Sequence, residues 1–339
     1  MNIDLNQIKK VLIIQIRPFG DVLLNTPYFP FLRKKLPNAK IDFLVCHPYH
    51  KILENNPYID EMIVFKKRKG VLNLFERVKL LARINHRKYD CIIDQLQGTS
   101  SALITLFSKA KYRIAYSHTR WKFLYNIRVI PKKQQYSASM KFYLLKPLGI
   151  EVSPYQLYYY IKPESITYID KWMTKANLTG QKFICMSPGS PRNRKKWKAE
   201  NYAKLADFIL KNTDRKVVLL WGPDEKDDVI NVSNAMEKKP IVALPTNFNE
   251  AAAMLNKCEL LICNDGGLNH LSVAVGTASL AIFGNTNPLN WSPHNFFGHY
   301  YLFNENFNSS KDNSFGISPE TAFEKVKLIL SEIESGRQF

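Results

Sequence analysis

Short apolar runs, set off by polar turns rich in Gly and Pro, recur along the chain, and helically spaced apolar residues follow most of them. The first run, Val11 to Ile14, passes through Arg17-Pro18-Phe19-Gly20 into Asp21-Val22-Leu23-Leu24. It predicts a buried parallel strand entering a helix through a tight loop. Further strands are predicted at Ile41 to Cys46, Met62 to Phe65, Tyr89 to Asp94, Arg113 to Tyr116 and Arg128 to Ile130, the last two as edge strands. Between the third and fourth strands, Val71, Leu74, Phe75, Val78 and Leu81 share a helical face, with Arg77, Lys79 and Arg83 off it. Around Gly149 to Pro163 the rhythm breaks at Pro154, a Tyr-rich strand (Tyr158 to Tyr160) and Pro163, which marks a domain boundary. Strands restart at Phe183 to Met186, Val217 to Leu220, Ile241 to Leu244, Leu260 to Cys263 and Leu280 to Phe283, with helical segments between most of them. A last helix runs from Pro319 to about Ser335, with Ser318 as its cap and Pro at its first position. The pattern is that of an α/β chain with two doubly wound sheets.

At 339 residues the chain is long enough for two domains with separate cores. Its 48 Lys and Arg against 29 Asp and Glu give a formal charge of +19, which calls for an anionic partner: nucleic acid, a membrane surface or a phosphorylated substrate. No run reaches the roughly 18 apolar residues of a membrane span, and Met1-Asn2-Ile3-Asp4 is not a signal peptide, so a cytoplasmic protein is expected. The five cysteines are scattered, mostly in strand-like runs, and read as small buried hydrophobes with no metal spacing and no disulfide framework. An Asp-x-Asp pair that would hold a metal is missing, as are G-x-G-x-x-G after the first strand and a P-loop, which counts against a dehydrogenase or a nucleoside triphosphatase.

Asp21, at the carboxyl edge of the first strand, is either a helix cap or a base. The run Lys66-Lys67-Arg68-Lys69 is either a solvated loop or a phosphate-binding one. In the second half, Asn264-Asp265-Gly266-Gly267 joins a strand end to a helix start, where backbone N–H groups favour an anion; His270 just beyond is a ligand contact or a buried histidine. Ser187-Pro188-Gly189-Ser190, followed by Arg192, Arg194, Lys195 and Lys196, suits a diphosphate leaving group. Glu225, ending Trp221-Gly222-Pro223-Asp224-Glu225, is placed either to accept ribose hydroxyls or to cap the next helix.

Ile14, Arg17, Gly20-Asp21, Val22-Leu23 and Thr26-Pro27 together resemble the N-terminal signature of the ADP-heptose:lipopolysaccharide heptosyltransferase family, glycosyltransferase family 9. Tyr89-Asp90, Asp94 and Gln97-Gly98 resemble a second segment of that family. Asp265, Gly267, His270, Gly276-Thr277, Phe283-Gly284, Thr286 and Pro288 resemble its donor motif. The chain departs from the family at Gly266, where a hydroxyl residue is usual, at Ala278, where Pro is common, and at Ser137 to Met140, where a His and an acid commonly precede the helix near Lys141.

The resemblance implies a GT-B fold: Rossmann-like domains at 1–160 (acceptor) and 161–316 (nucleotide-sugar) facing across a cleft, and a helix at 317–339 packing back on the N-terminal domain. It implies an inverting glycosyltransferase that needs no metal or other cofactor and moves a sugar, heptose from ADP-heptose foremost, to a lipopolysaccharide core or related glycan. Asp21 would be the base. Gly20, Ser187, Gly189, Ser190, Lys195, Gly222, Glu225, Thr246, Asp265, Gly266, Gly267 and His270 would hold the donor, with Thr246 bordering the adenine. Lys66, Lys67, Arg68, Lys69, Arg120 and Lys122 would meet an anionic glycolipid acceptor, and the positive charge fits a cytoplasmic protein peripheral to the inner membrane. A different nucleotide-sugar, a protein acceptor or a catalytically idle homologue remain open, while a sequence-independent nucleic-acid binder would explain the charge but not the donor motifs.

Overall fold

The computed structural model describes residues 3–132, 135–152, 156–293, 298–307 and 312–336. The chain divides into two compact units, Met1–Tyr160 and Ile161–Phe339.

In the first unit, β1 (Lys10–Ile14), β2 (Lys40–Cys46), β3 (Glu61–Phe65), β4 (Cys91–Asp94), β5 (Tyr112–Tyr116) and β6 (Ile127–Val129) form a parallel sheet in the order β3-β2-β1-β4-β5-β6. The connecting helices are α1 (Phe19–Leu23), α2 (Phe29–Lys35), α3 (Gly70–Arg87), α4 (Thr99–Ser108) and α5 (Ser137–Phe142). Every residue from Val11 to Ile14 is fully buried, as a central strand covered on both faces must be. Chain direction across the sheet reverses between β1 and β4, where Ile14 pairs with Asp94, so the loops after these two strands open side by side.

Three expectations change here. β5 lies between β4 and β6, so only β6 is an edge. Tyr158 to Tyr160 form no strand; the segment is pinned instead by a hydrogen bond from the Tyr158 N–H to Thr26 Oγ1, 2.9 Å, and Pro154 lies outside the described residues. Most of the apolar stripe of α3 is wet: Val71, Leu74, Phe75 and Val78 are exposed, while the helix buries Leu80 and Ile84 and packs Leu81, half-buried, on the same core.

In the second unit, β7 (Phe183–Ser187), β8 (Lys216–Leu219), β9 (Ile241–Val242), β10 (Leu260–Asn264), β11 (Ala278–Phe283) and β12 (His299–Phe303) repeat the plan, in the order β12-β11-β10-β7-β8-β9. The half-exposed, Tyr-rich β12 shows too weak an alternation to be read from sequence. Its helices are α6 (Pro163–Lys175), α7 (Ala199–Asn212), α8 (Lys226–Ala235), α9 (Phe248–Leu255), α10 (Gly267–Val275), α11 (Pro288–Trp291) and α12 (Pro319–Glu334).

α12 belongs to the second unit, Ile161–Phe339. Phe323, Val326, Ile329 and Leu330 are buried in the same core as Ile184, Leu205, Ile209 and Leu280 of the second unit. Phe323 packs on Phe208 of α7 with ring centroids 5.7 Å apart, and the buried Arg215 joins Glu259 (3.0 Å) to Glu334 at the helix end. These buried side chains make α12 part of the second unit's core.

All five cysteines are buried and free. Among the described residues, no helix is long and apolar enough to cross a membrane, and no three His, Cys, Asp or Glu side chains gather where they would hold an ion.

Candidate active site

Reversal of strand order places the loop after β7 beside the loop after β10, because Ser187 pairs with Cys263. Lys195, on a short 3-10 turn after β7, reaches Asp265 at the end of β10 and forms an ion pair with its carboxylate. Asp265 is almost fully buried, and the pair therefore holds two loops together in a poorly solvated setting. Asn264 braces them from below: its amide donates to the Pro188 carbonyl (2.7 Å) and its oxygen accepts from the Trp197 N–H (2.9 Å) and the Tyr202 hydroxyl (3.2 Å). α10 starts at Gly267 with Gly266 as a cap that offers no side-chain oxygen, so the N–H groups of its first turn face outward as an anion site. Gly266 has extended backbone, and a Cβ added to it would come no nearer than 3.7 Å to Asn264 O. The space for the family's usual hydroxyl residue is therefore present.

Glu225 joins this cluster from the third loop. Its Oε2 accepts from the Gly222 N–H at 3.0 Å, and its carboxylate lies so close to Gly189 that a Cβ there would be 2.5 Å from Glu225 Cδ. Gly189 thus leaves room for the carboxylate, and burial raises the pKa of Glu225 above the ordinary carboxylate value. Glu225 is the cap residue of α8 by position, but its carboxylate turns back to Gly222 and makes no cap bond to that helix. Ser187, Thr246 and His270 are buried beneath the loops. The Thr246 hydroxyl donates to the Trp221 carbonyl at 3.0 Å, and the His270 ring lies 6.4 Å from that of Trp291. Ser190 is buried with its hydroxyl 3.4 Å from the Arg192 N–H, while Arg192 and Arg194 are exposed.

In the first unit, Asp21 stands in the first turn of α1, half-buried, with Pro18 rather than Asp21 at the cap position. Its carboxylate accepts no hydrogen bond among the described residues, whereas its carbonyl accepts from Asn25 Nδ2 at 2.6 Å, and Tyr28 in turn donates to Asn25 Oδ1 at 2.7 Å. Backbone and helix are fixed; the carboxylate is left open.

Sequence reasoning missed Lys141. This α5 residue is only 6% exposed, and its ammonium forms no hydrogen bond or ion pair among the described residues. Burial lowers its pKa to about 8, with Asp21 acting to hold the proton on and Arg17 to drive it off, so the two cations and the carboxylate share one neighbourhood. Beside them is a cavity of about 310 Å³ lined by Arg17, Gln95, Gln97, Tyr116, His118 and Arg120. Asp94 fixes the loop that lines it, accepting the Leu96 and Gln97 N–H groups at 2.9 Å each.

Of the basic residues expected to meet an acceptor, only Arg120 lines this cavity; Lys122 is exposed beyond it. Lys66 to Lys69 are exposed after β3. Four strand spacings, about 19 Å, separate β3 from β5, so the basic residues do not converge on one group.

A family model described as glycosyltransferase family 9 (heptosyltransferase) matches residues 77–314. Lipopolysaccharide heptosyltransferase 3 of Escherichia coli is 28% identical over 293 residues, covering 82% of this chain and 84% of its own. The crystal structure of a family 9 glycosyl transferase from Veillonella parvula superposes with a TM-score of 0.82 at 26% identity, over 96% of this chain and 97% of that one. The E. coli heptosyltransferase WaaC, solved with ADP-2-deoxy-2-fluoro heptose, shares the fold with a TM-score of 0.73 at 18% identity, over 94% and 99% of the two chains. A family match over most of the chain, on two parallel sheets with clustered polar loops at each switch point, makes this protein a member of glycosyltransferase family 9, the heptosyltransferases.

Proposed function

We propose that this glycosyltransferase moves a heptose from ADP-heptose to a lipopolysaccharide core or related anionic glycolipid, with inversion at the sugar carbon and without a metal. The observation that carries the reading is the open Asp21 carboxylate, anchored through its own backbone and bordered by Lys141 and Arg17. A base has to be accessible and fixed, and this carboxylate is both.

Asp21 takes the proton of an acceptor hydroxyl as that oxygen forms a bond to C1 of the sugar. The bond from C1 to the phosphate oxygen breaks on the opposite face, its electron pair leaves with ADP, and the transition state between is oxocarbenium-like. Charge growing on the diphosphate is met by Lys195 and by the first-turn N–H groups of α10, a role that in other enzymes falls to a metal ion. Asp265, already paired with Lys195, is suited to accept sugar hydroxyls. Glu225 is suited to the ribose, since a buried carboxylate at a strand's carboxyl end accepts paired hydroxyls. The ligand solved with WaaC and the name of the E. coli relative support the choice of donor and acceptor.

The test is transfer from ADP-heptose to a lipopolysaccharide core acceptor in EDTA, with the product anomer read by NMR. The reading expects an inverted product, and Asp21→Asn should abolish transfer while calorimetric ADP affinity stays within a few-fold. A retained configuration, dependence on added metal, or an Asp21→Asn enzyme that still turns over would refute it.

A further inference from the structure

α3 carries two apolar faces. At about 100° per residue, Val71, Leu74, Phe75 and Val78 lie within about 60° of one line, while Leu80 and Ile84 lie about 180–220° away. The second pair is buried against the sheet; the first four, with Leu72, are 57 to 83% exposed. A soluble surface does not normally collect five large apolar side chains on two turns of one helix, and such a patch marks an interaction site.

What surrounds the stripe identifies its partner. Arg77 and Lys79 flank it on opposite sides, at about 120° and 80°, and make no ion pair among the described residues. Arg83 and Arg87, further along, are taken up by Glu61. Lys66 to Lys69 lead into the helix, all exposed and unpaired among the described residues. The helix's one acid, Glu76, points at about 140°, toward the core side. An apolar ridge with basic shoulders is the arrangement by which a helix lies in a lipid interface, apolar side chains among the acyl chains and cations at the headgroups.

We propose that the first two turns of α3 dock the protein on an anionic lipid bilayer, with Leu74 and Phe75 inserted and Lys66 to Lys69, Arg77 and Lys79 at the headgroups. α3 starts at the carboxyl edge of the first sheet, where the α1 loop also opens. A membrane held there faces the edge that carries Asp21. The inference does not depend on the sugar or nucleotide assigned above.

The experiment is flotation of the full chain with phosphatidylglycerol/phosphatidylethanolamine vesicles and with phosphatidylcholine vesicles. The wild type should float with the anionic vesicles and much less with the neutral ones. Leu74→Ser/Phe75→Ser should lower the partition coefficient on the order of tenfold or more, since two exposed apolar groups lose their burial. Val71→Ser/Leu72→Ser should act in the same direction. Thermal unfolding followed by circular dichroism reports folding of both variants, and calorimetric ADP binding tests the donor reading separately. Equal flotation of wild type and variants, no flotation of the wild type, or a dimer in light scattering that the variants dissolve would overturn the proposal, the last by assigning the stripe to a second copy.

Discussion

Replacing Lys141 by Met should make the protein more stable at neutral pH and a poorer enzyme. The wild-type ammonium is buried without a hydrogen bond or ion pair among the described residues, and its pKa falls from 10.5 to about 8. A drop of that size corresponds to about 3 kcal/mol of differential stability. Below pH 8 both the folded and the unfolded chain carry the proton, so the burial penalty is fully present. Between about pH 8 and 10.5 the folded protein has released the proton and the unfolded chain still binds it, so stability rises with pH across that window. Lys141→Met imitates the neutral side chain at every pH. At pH 7 it should therefore exceed the wild type by up to about 3 kcal/mol, or about 6–12 °C in melting temperature for a unit of this size. That advantage should vanish by about pH 10.5. Paired urea titrations of both proteins at pH 7, 8, 9 and 10 measure this, since other titrating groups cancel in the difference. An advantage independent of pH, or a variant less stable at pH 7, would refute the reasoning. The same substitution removes the cation beside the Asp21 carboxylate, so kcat/KM should fall in the transfer assay.

Gly189→Ala drives a Cβ into the flexible end of Glu225, so folding should change by no more than about 1 kcal/mol while ADP affinity falls about tenfold. In calorimetry a Gly189→Ala/Glu225→Ala double variant should bind ADP no worse than Glu225→Ala alone. Gly266→Ser should be accepted without strain and should raise stability by a few tenths of a kcal/mol through a new helix cap, measured by thermal unfolding. Deleting α12 removes four large buried apolar side chains, Phe323, Val326, Ile329 and Leu330, at about 1.5–3 kcal/mol each, so hydrogen exchange should show the second unit unfolded and the first unit's β1 still protected. A protected second unit would mean that α12 does not complete its core.

Much of this architecture can be read from the chain because a strand covered on both faces must be apolar throughout. Val11 to Ile14 and Leu260 to Cys263 therefore announce themselves, and with them the loops that follow. Asp265 and Lys195 were legible as separate motifs, 70 residues apart. That they pair follows from the reversal of strand order that makes β7 and β10 neighbours, which periodicity does not reveal. The carboxylate of Glu225 against Gly189 is hidden for the same reason, since the contact joins two loops across the sheet. Lys141 left no signal, because a lysine on a short helix reads as solvated and only tertiary packing puts its ammonium beside Asp21.

α3 exposes a more general ambiguity. Helical periodicity shows that a stripe exists, and the usual inference turns the stripe toward the core. α3 instead buries only Leu80 and Ile84, in its second half, and leaves its first two turns dry-sided yet facing water. The discriminating information lay in the charges. A core-facing helix sets its cations opposite its apolar stripe, whereas here Arg77 and Lys79 shoulder the stripe and a run of four cations precedes it. Cations beside an apolar stripe cost little in water and gain most when the stripe meets an anionic interface. The net charge of +19 thus has a local meaning on this helix, apart from the donor cations around Lys195.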